Sequence, residues 1–236
     1  MRTRGVRCLL MGGQACVFYG AAEFSRDTDF ALLASPDNLD RFRAALADLH
    51  AERIAVPPFD PDYLHRGHAV HFRCQHPEAA GFRIDVMSVM RGVAPFDELW
   101  ERRTAFETAE GDIVELLSLG DLVQAKKTQR DKDWPMVRRL VEGHYLSNRE
   151  HPAPAQVAWW LAELRTATLL VEAASQHPDA ASVAAGHRAA VARAVEGGIQ
   201  PVEDTLIEEE RAEREADRRY WLPLRQELER LRHRPG

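Results

Sequence analysis

The chain has 236 residues, 45% hydrophobic and 29% charged, enough for one large domain or two small ones with a sizeable core. No apolar run reaches the roughly 18 residues of a membrane span, and the formal net charge of −6 argues against broad coating of nucleic acid. Cys8, Cys16 and Cys74 are odd in number and lack Cys-x-x-Cys spacing, which argues against a disulfide framework or a zinc knuckle.

The N-terminal segment has basic residues before a short apolar run, "VRCLLM", broken by Arg7. A secretory leader is not expected from it, and a cytoplasmic location is. "VRCLLM" (6–11) predicts a short buried strand, "QACVFYG" (14–20) a short helix packed on it, and "TDFALLA" (28–34) a second strand. "SPDNLDRFRAALADLH" (35–50) offers Ser35 as N-cap and Pro36 at the first helical position. Its Leu39, Phe42, Leu46 and Leu49 recur at helical spacing, so an amphipathic helix is expected.

"AERIAV" (51–56) predicts a strand ended by Pro57 and Pro58. "AVHFRCQH" (69–76) and "FRIDVMSV" (82–89) alternate, and the "PEAAG" turn between them suggests a hairpin. In the second, Phe82, Ile84 and Val86 fall on one side and Arg83, Asp85 and Met87 on the other. A short helix is expected at 95–103 and two short strands around Glu110-Gly111-Asp112. From Ser118, a good N-cap, the pattern turns helical. Residues 152–236 predict three helices, at about 154–176, 179–197 and 201–232. The expected organisation is α+β: a small mixed sheet flanked by helices over 1–117, then an all-helical region over 118–236.

The chemistry concentrates in "MGGQACVFYGAAEFSRDTDFALL" (11–33). Asp27 and Asp29 stand one residue apart where a strand begins, although strands are depleted in Asp. Residues i and i+2 of a strand share a face, so the two carboxylates project together and repel unless a proton or a cation lies between them. Mg²⁺ suits such a pair, because it binds through one or two carboxylates and fills its other positions with water and phosphate oxygens. Asp85 can join them if its strand neighbours theirs. Gly12-Gly13, opening a helix, exposes backbone N–H groups that favour phosphate, although a glycine pair alone is most often a turn. "HRGHAVHFRCQH" holds His65, His68, His71 and His76, but His68 and His71 fall on opposite strand faces, which argues against one shared zinc ion.

Gly12-Gly13, then Ser25-x-Asp27-x-Asp29-Phe30, then Ile84-Asp85-Val86, resembles the nucleotidyltransferases of the DNA polymerase β-like superfamily. The downstream "LLSLGDLVQAKKTQRDKDW" resembles the bacterial branch that includes abortive-infection and toxin–antitoxin nucleotidyltransferases, with Lys126, Arg130, Lys132 and Asp133 at the matching places. The resemblance covers roughly residues 6 to 142. Thr28 stands where that family usually has an apolar residue, Met136 where an Asp often follows, and the helix that often precedes the first strand is missing or very short.

The resemblance implies transfer of NMP from an NTP to a hydroxyl acceptor with release of pyrophosphate. It implies Mg²⁺, or Mn²⁺ in its place, on Asp27, Asp29 and Asp85, with Asp85 assisting the attacking hydroxyl. Gly12, Gly13 and Ser25 would lie at the phosphates, and Lys126 and Arg130 would offset their charge. The acceptor stays open between an RNA 3′ end, a protein hydroxyl and a small molecule. Two other readings stand beside transfer: an NTP-binding module without turnover, and one half of a toxin–antitoxin pair whose C-terminal helices meet a protein partner.

Overall fold

The computed structural model describes residues 1–233. The fold is α+β, with one seven-stranded mixed sheet and a helical C-terminal region. The strands are β1 (Cys8–Met11), β2 (Asp27–Leu32), β3 (Glu52–Arg53), β4 (Val70–Arg73), β5 (Arg83–Met87), β6 (Thr104–Glu107) and β7 (Ile113–Leu116). They lie in the order β3-β4-β5-β2-β1-β7-β6, which makes β2 the central strand. β2 pairs parallel with β5, β1 pairs parallel with β7, and the remaining neighbours pair antiparallel.

Helix α1 (Gly12–Phe18) follows β1 directly and packs on β1 and β2. Helix α2 (Pro36–Asp48) starts as its sequence dictates, with Ser35 extended at the N-cap, Pro36 in the first turn and Asp37 beside the helix N-terminus. Its Leu39 and Phe42 join Leu32, Phe72, Ile84 and Val86 in one buried core on a single sheet face. Two short helices, α3 (Pro61–His65) and α4 (Phe96–Glu101), precede β4 and β6. Helix α5 (Leu119–Ala125) packs against α1. Ser118 caps it: its Oγ accepts from the Asp121 N–H at 3.2 Å and donates to Asp121 Oδ2 at 2.6 Å.

The helical region continues through α6 (Asp133–Asn148), α7 (Pro154–Glu163), α8 (Ala167–Gln176), α9 (Pro178–Ala185), α10 (Ala189–Val195) and α11 (Ile199–Arg232). The described residues form two compact units: one takes in Met1–Lys126 and residues 219–233, the other Lys127–Arg218. No helix among the described residues is long and apolar enough to cross a membrane.

Two expectations are corrected here. The strand expected over 51–56 shrinks to Glu52–Arg53 at the sheet edge. Beyond it Ile54 still donates its N–H to His71 O, but Pro57 and Pro58 have no N–H to extend the ladder. The helices expected over 154–176 and 179–197 are each split in two. At the first split Leu164 and Thr166 are extended, and Arg165 between them bonds Glu209 Oε2 at 2.9 Å. At the second, extended Arg188 donates to Leu161 O at 2.7 Å, to Leu164 O at 2.8 Å and to Glu209. Arg188 thus satisfies two carbonyls, Leu161 O and Leu164 O, that a continuous helix would have satisfied itself, and hydrophobic periodicity carries no sign of that exchange.

Candidate active site

The three acids are assembled by strand register. Asp29 stands beside Asp85 on the parallel β2–β5 pair, and Asp27 stands beside Arg83. Neighbouring strands lie about 4.8 Å apart, so residues in register on one face are close neighbours. His71 of β4 pairs with Asp85 from the other side, and Met11 of β1 pairs with Asp29. Side-chain alternation puts Asp27, Asp29, Arg83, Asp85 and His71 on one face. The intervening Thr28, Phe72, Ile84 and Val86 turn to the opposite face and are buried. The same apolar core that fixes α2 therefore fixes which way the acids point, because a one-residue slip would exchange the two faces.

The glycine turn closes on this face. Gly12 has φ +68°, in the left-handed region, and a Cβ there would overlap Asp29 Oδ2 and lie 2.5 Å from Asp29 Cγ. A Cβ on Gly13 would lie 2.5 Å from Ser25 Oγ. Only residues without side chains let the start of α1 approach the second strand this closely. Ser25 is itself held: its Oγ donates to Asp27 O at 3.1 Å, and Gln14 Nε2 donates to Ser25 O at 2.9 Å. Gly12, Gly13, Ser25, Asp27 and Asp29 thus form one tight strand–turn–helix–strand unit.

Asp85 has strong local partners. Its Oδ1 accepts from Arg83 Nε at 2.8 Å and from His71 Nδ1 at 2.8 Å. Arg83 Nη2 also lies 3.2 Å from His71 Nδ1. One ring nitrogen cannot donate to the carboxylate and accept from the guanidinium at once, so we take Nδ1–H as the donor to Asp85, the charge-assisted and shorter contact. Burial pushes the Asp85 carboxyl up, but the hydrogen bonds from His71 and Arg83 outweigh it and hold the group below its ordinary value. The Arg83 guanidinium is raised, first by its hydrogen bond to Asp85 and against partial burial, with the charges of Asp85, Asp27 and Asp29 adding to the effect.

The two downstream cations have different settings. Lys126 is at the C-cap of α5, 6% exposed, on the helix that packs against α1. Arg130 belongs to the other compact unit. Its Nε donates to Asp133 Oδ2 at 2.8 Å and its N–H to Thr128 Oγ1 at 3.1 Å, where it steadies the start of α6. The four histidines go separate ways. His71 holds Asp85, buried His68 bonds Glu227 Oε2 at 2.8 Å, His76 accepts from the Glu78 N–H, and His65 is exposed.

Sequence reasoning missed the roles of His71 and Arg83. Both had a signal, since Arg83 alternates onto the side of Asp85 and His71 lies in the partner strand of the expected hairpin. Carboxylate oxygens are hard donors, so Asp27, Asp29 and Asp85 fit Mg²⁺ or Mn²⁺ better than a soft metal. They stand as an open acidic face: among the described residues no three or more His, Cys, Asp or Glu are gathered into a metal cage. No family model matches the chain, and no curated protein matches it.

Proposed function

We propose that the chain is a metal-dependent nucleotidyltransferase that moves NMP from an NTP to a hydroxyl acceptor. The observation that carries this reading is the register of β2 and β5, with Asp29 beside Asp85 and the Gly12 turn against the Asp29 carboxylate. Paired carboxylates at the head of a central strand, next to an open glycine turn, make a place where phosphates and a hard cation can meet.

Asp27, Asp29 and Asp85 would hold a divalent ion, Mg²⁺ or Mn²⁺. Such an ion supplies charge neutralisation for a triphosphate and acidifies an acceptor hydroxyl. The chain's own residues supply the rest. Gly12 keeps side-chain bulk away from the Asp29 carboxylate, and Gly13 keeps it away from Ser25. Ser25 fixes the loop into β2 through Asp27 O. His71 and Arg83 orient Asp85, and the Asp85 carboxylate beside the attacking hydroxyl receives its proton. Lys126 is the cation we assign to the phosphates, and Arg130 pairs with Asp133 at the start of α6.

The test is transfer of label from α-labelled NTPs in Mg²⁺, with total tRNA, the protein itself and a small polyhydroxylated amine as separate acceptors. Label transfer and pyrophosphate release by wild type, both lost in Asp29→Asn, support the reading. Nucleotide binding without transfer to any acceptor would replace it with a binding module, and capture of a dedicated protein partner would favour the paired-system reading.

A further inference from the structure

Three carboxylates on one face of a sheet need compensating positive charge whether or not a metal is bound. The strand register shows where some of it comes from. Arg83 stands beside Asp27, two residues before Asp85 on the same face, with its Nε 2.8 Å from Asp85 Oδ1. That hydrogen bond above all raises the guanidinium, and the charges of Asp85, Asp27 and Asp29 add to it. Across the β4–β5 pair Arg73 stands beside Arg83, but it is exposed. Met11, beside Asp29 on β1, brings no charge. The opposite sheet face is apolar at Ile84, Val86 and Phe72, so no counter-charge comes from beneath.

We infer that Arg83 is a resident counter-ion of the acidic face, which keeps the metal-free fold stable and in doing so limits how tightly a divalent ion binds. The inference rests on the metal-dependent reading and adds a regulator of affinity to it. Arg83 is a positioning residue. Both it and His71 bond Asp85 Oδ1, the oxygen an incoming cation would compete for. The two differ in consequence: Arg83 always carries its charge, so it opposes an incoming cation electrostatically as well as orienting the ligand. A purely structural arginine would only lower stability when removed. A counter-ion, when removed, lowers metal-free stability and raises metal affinity.

The experiment uses the full chain and Mn²⁺ alone, without nucleotide, so that it does not depend on turnover. Mn²⁺ affinity is read by titration calorimetry, and thermal unfolding is followed in chelator and in saturating Mn²⁺. Arg83→Gln should bind Mn²⁺ roughly tenfold more tightly than wild type, the scale of one unit charge at a part-exposed site. In chelator it should melt below wild type, and Mn²⁺ should recover more of its stability than it adds to wild type. Arg83→Lys keeps the charge and should stay within about twofold of wild type, which tests the idea even if Arg83→Gln does not fold. Unchanged or weaker Mn²⁺ binding by Arg83→Gln, beside wild-type binding that Asp29→Asn abolishes, would overturn the counter-ion role and leave the metal site intact. A tenfold change in Arg83→Lys would overturn it as well. Absence of Mn²⁺ binding in wild type would overturn both this inference and the metal-dependent reading.

Discussion

Replacing Gly12 by Ala tests the close approach that ties the glycine turn to the carboxylates. The perturbation has two separable parts. Gly12 sits at φ +68°, where an L side chain costs about 1–2 kcal/mol. Its new Cβ would also overlap Asp29 Oδ2, with Asp29 Cγ at 2.5 Å and Asp29 Cβ at 2.7 Å. Because Asp29 Cβ itself is in the way, a rotamer change of Asp29 cannot clear the space, and overpacking of this kind costs about 1–3 kcal/mol more. Together the loss is about 2–5 kcal/mol, on the order of 10 °C in the melting of a chain this size. The assay is denaturant unfolding of four proteins: wild type, Gly12→Ala, Asp29→Gly and the double variant. Asp29→Gly removes the obstructing atoms but leaves the left-handed backbone, so Gly12→Ala should cost only about 1–2 kcal/mol in that background. An equal cost in both backgrounds would refute the close approach, and a cost well below 1 kcal/mol in wild type would refute the left-handed turn.

Other consequences follow from the same contacts. Gly13→Ala should cost about 1–3 kcal/mol, because the new Cβ meets Ser25 Cβ at 2.9 Å as well as the rotatable Ser25 Oγ, and losing the Ser25–Asp27 hydrogen bond should loosen the loop to proteolysis. The folded state holds Asp85 below its ordinary value, so its stabilising contribution is complete above the unfolded pKa of about 3.9 and is lost as pH falls through the lower folded value. The stability difference between wild type and Asp85→Asn, measured by calorimetry across pH, should therefore shrink in acid and be flat at neutral pH. Arg188→Met should destabilise the helical unit by about 3 kcal/mol, since it strips Leu161 O and Leu164 O of their donor and leaves Glu209 with Arg165 alone. Lys126→Met should lower transfer from NTP while leaving Mn²⁺ affinity within about twofold, because its proposed partner is phosphate.

What the sequence made legible, and what it hid, has a common physical cause. Local rules did well. Ser35-Pro36 opened α2, Ser118 capped α5, and alternation separated Asp85 from Ile84 and Val86. The pairing of Asp27 and Asp29 on one face needed only the two-residue period of a strand. Facts that depend on long-range contacts did not show. The register that sets His71 against Asp85 depends on how many residues the 74–82 connection absorbs, part of it as a short 3₁₀ turn at Pro77–Ala79. The splits at Arg165 and Arg188 arise because both arginines turn inward to Glu209. No helical period records that contact. The ion pair of Arg130 with buried Asp133, three positions on, is another contact that the basic run does not announce.

The central claim is that Asp27, Asp29 and Asp85 together run a metal-dependent transfer. The most direct measurement is pyrophosphate release from each NTP in Mg²⁺ by wild type and by the three single Asp→Asn variants, with acceptor supplied as total tRNA, the protein itself and a small polyhydroxylated amine in turn. The account predicts release by wild type with at least one acceptor, abolished by chelator and reduced at least about a hundredfold in each variant, the scale of losing a main electrostatic contribution to catalysis. Release that survives in Asp29→Asn or Asp85→Asn at the wild-type rate would contradict it.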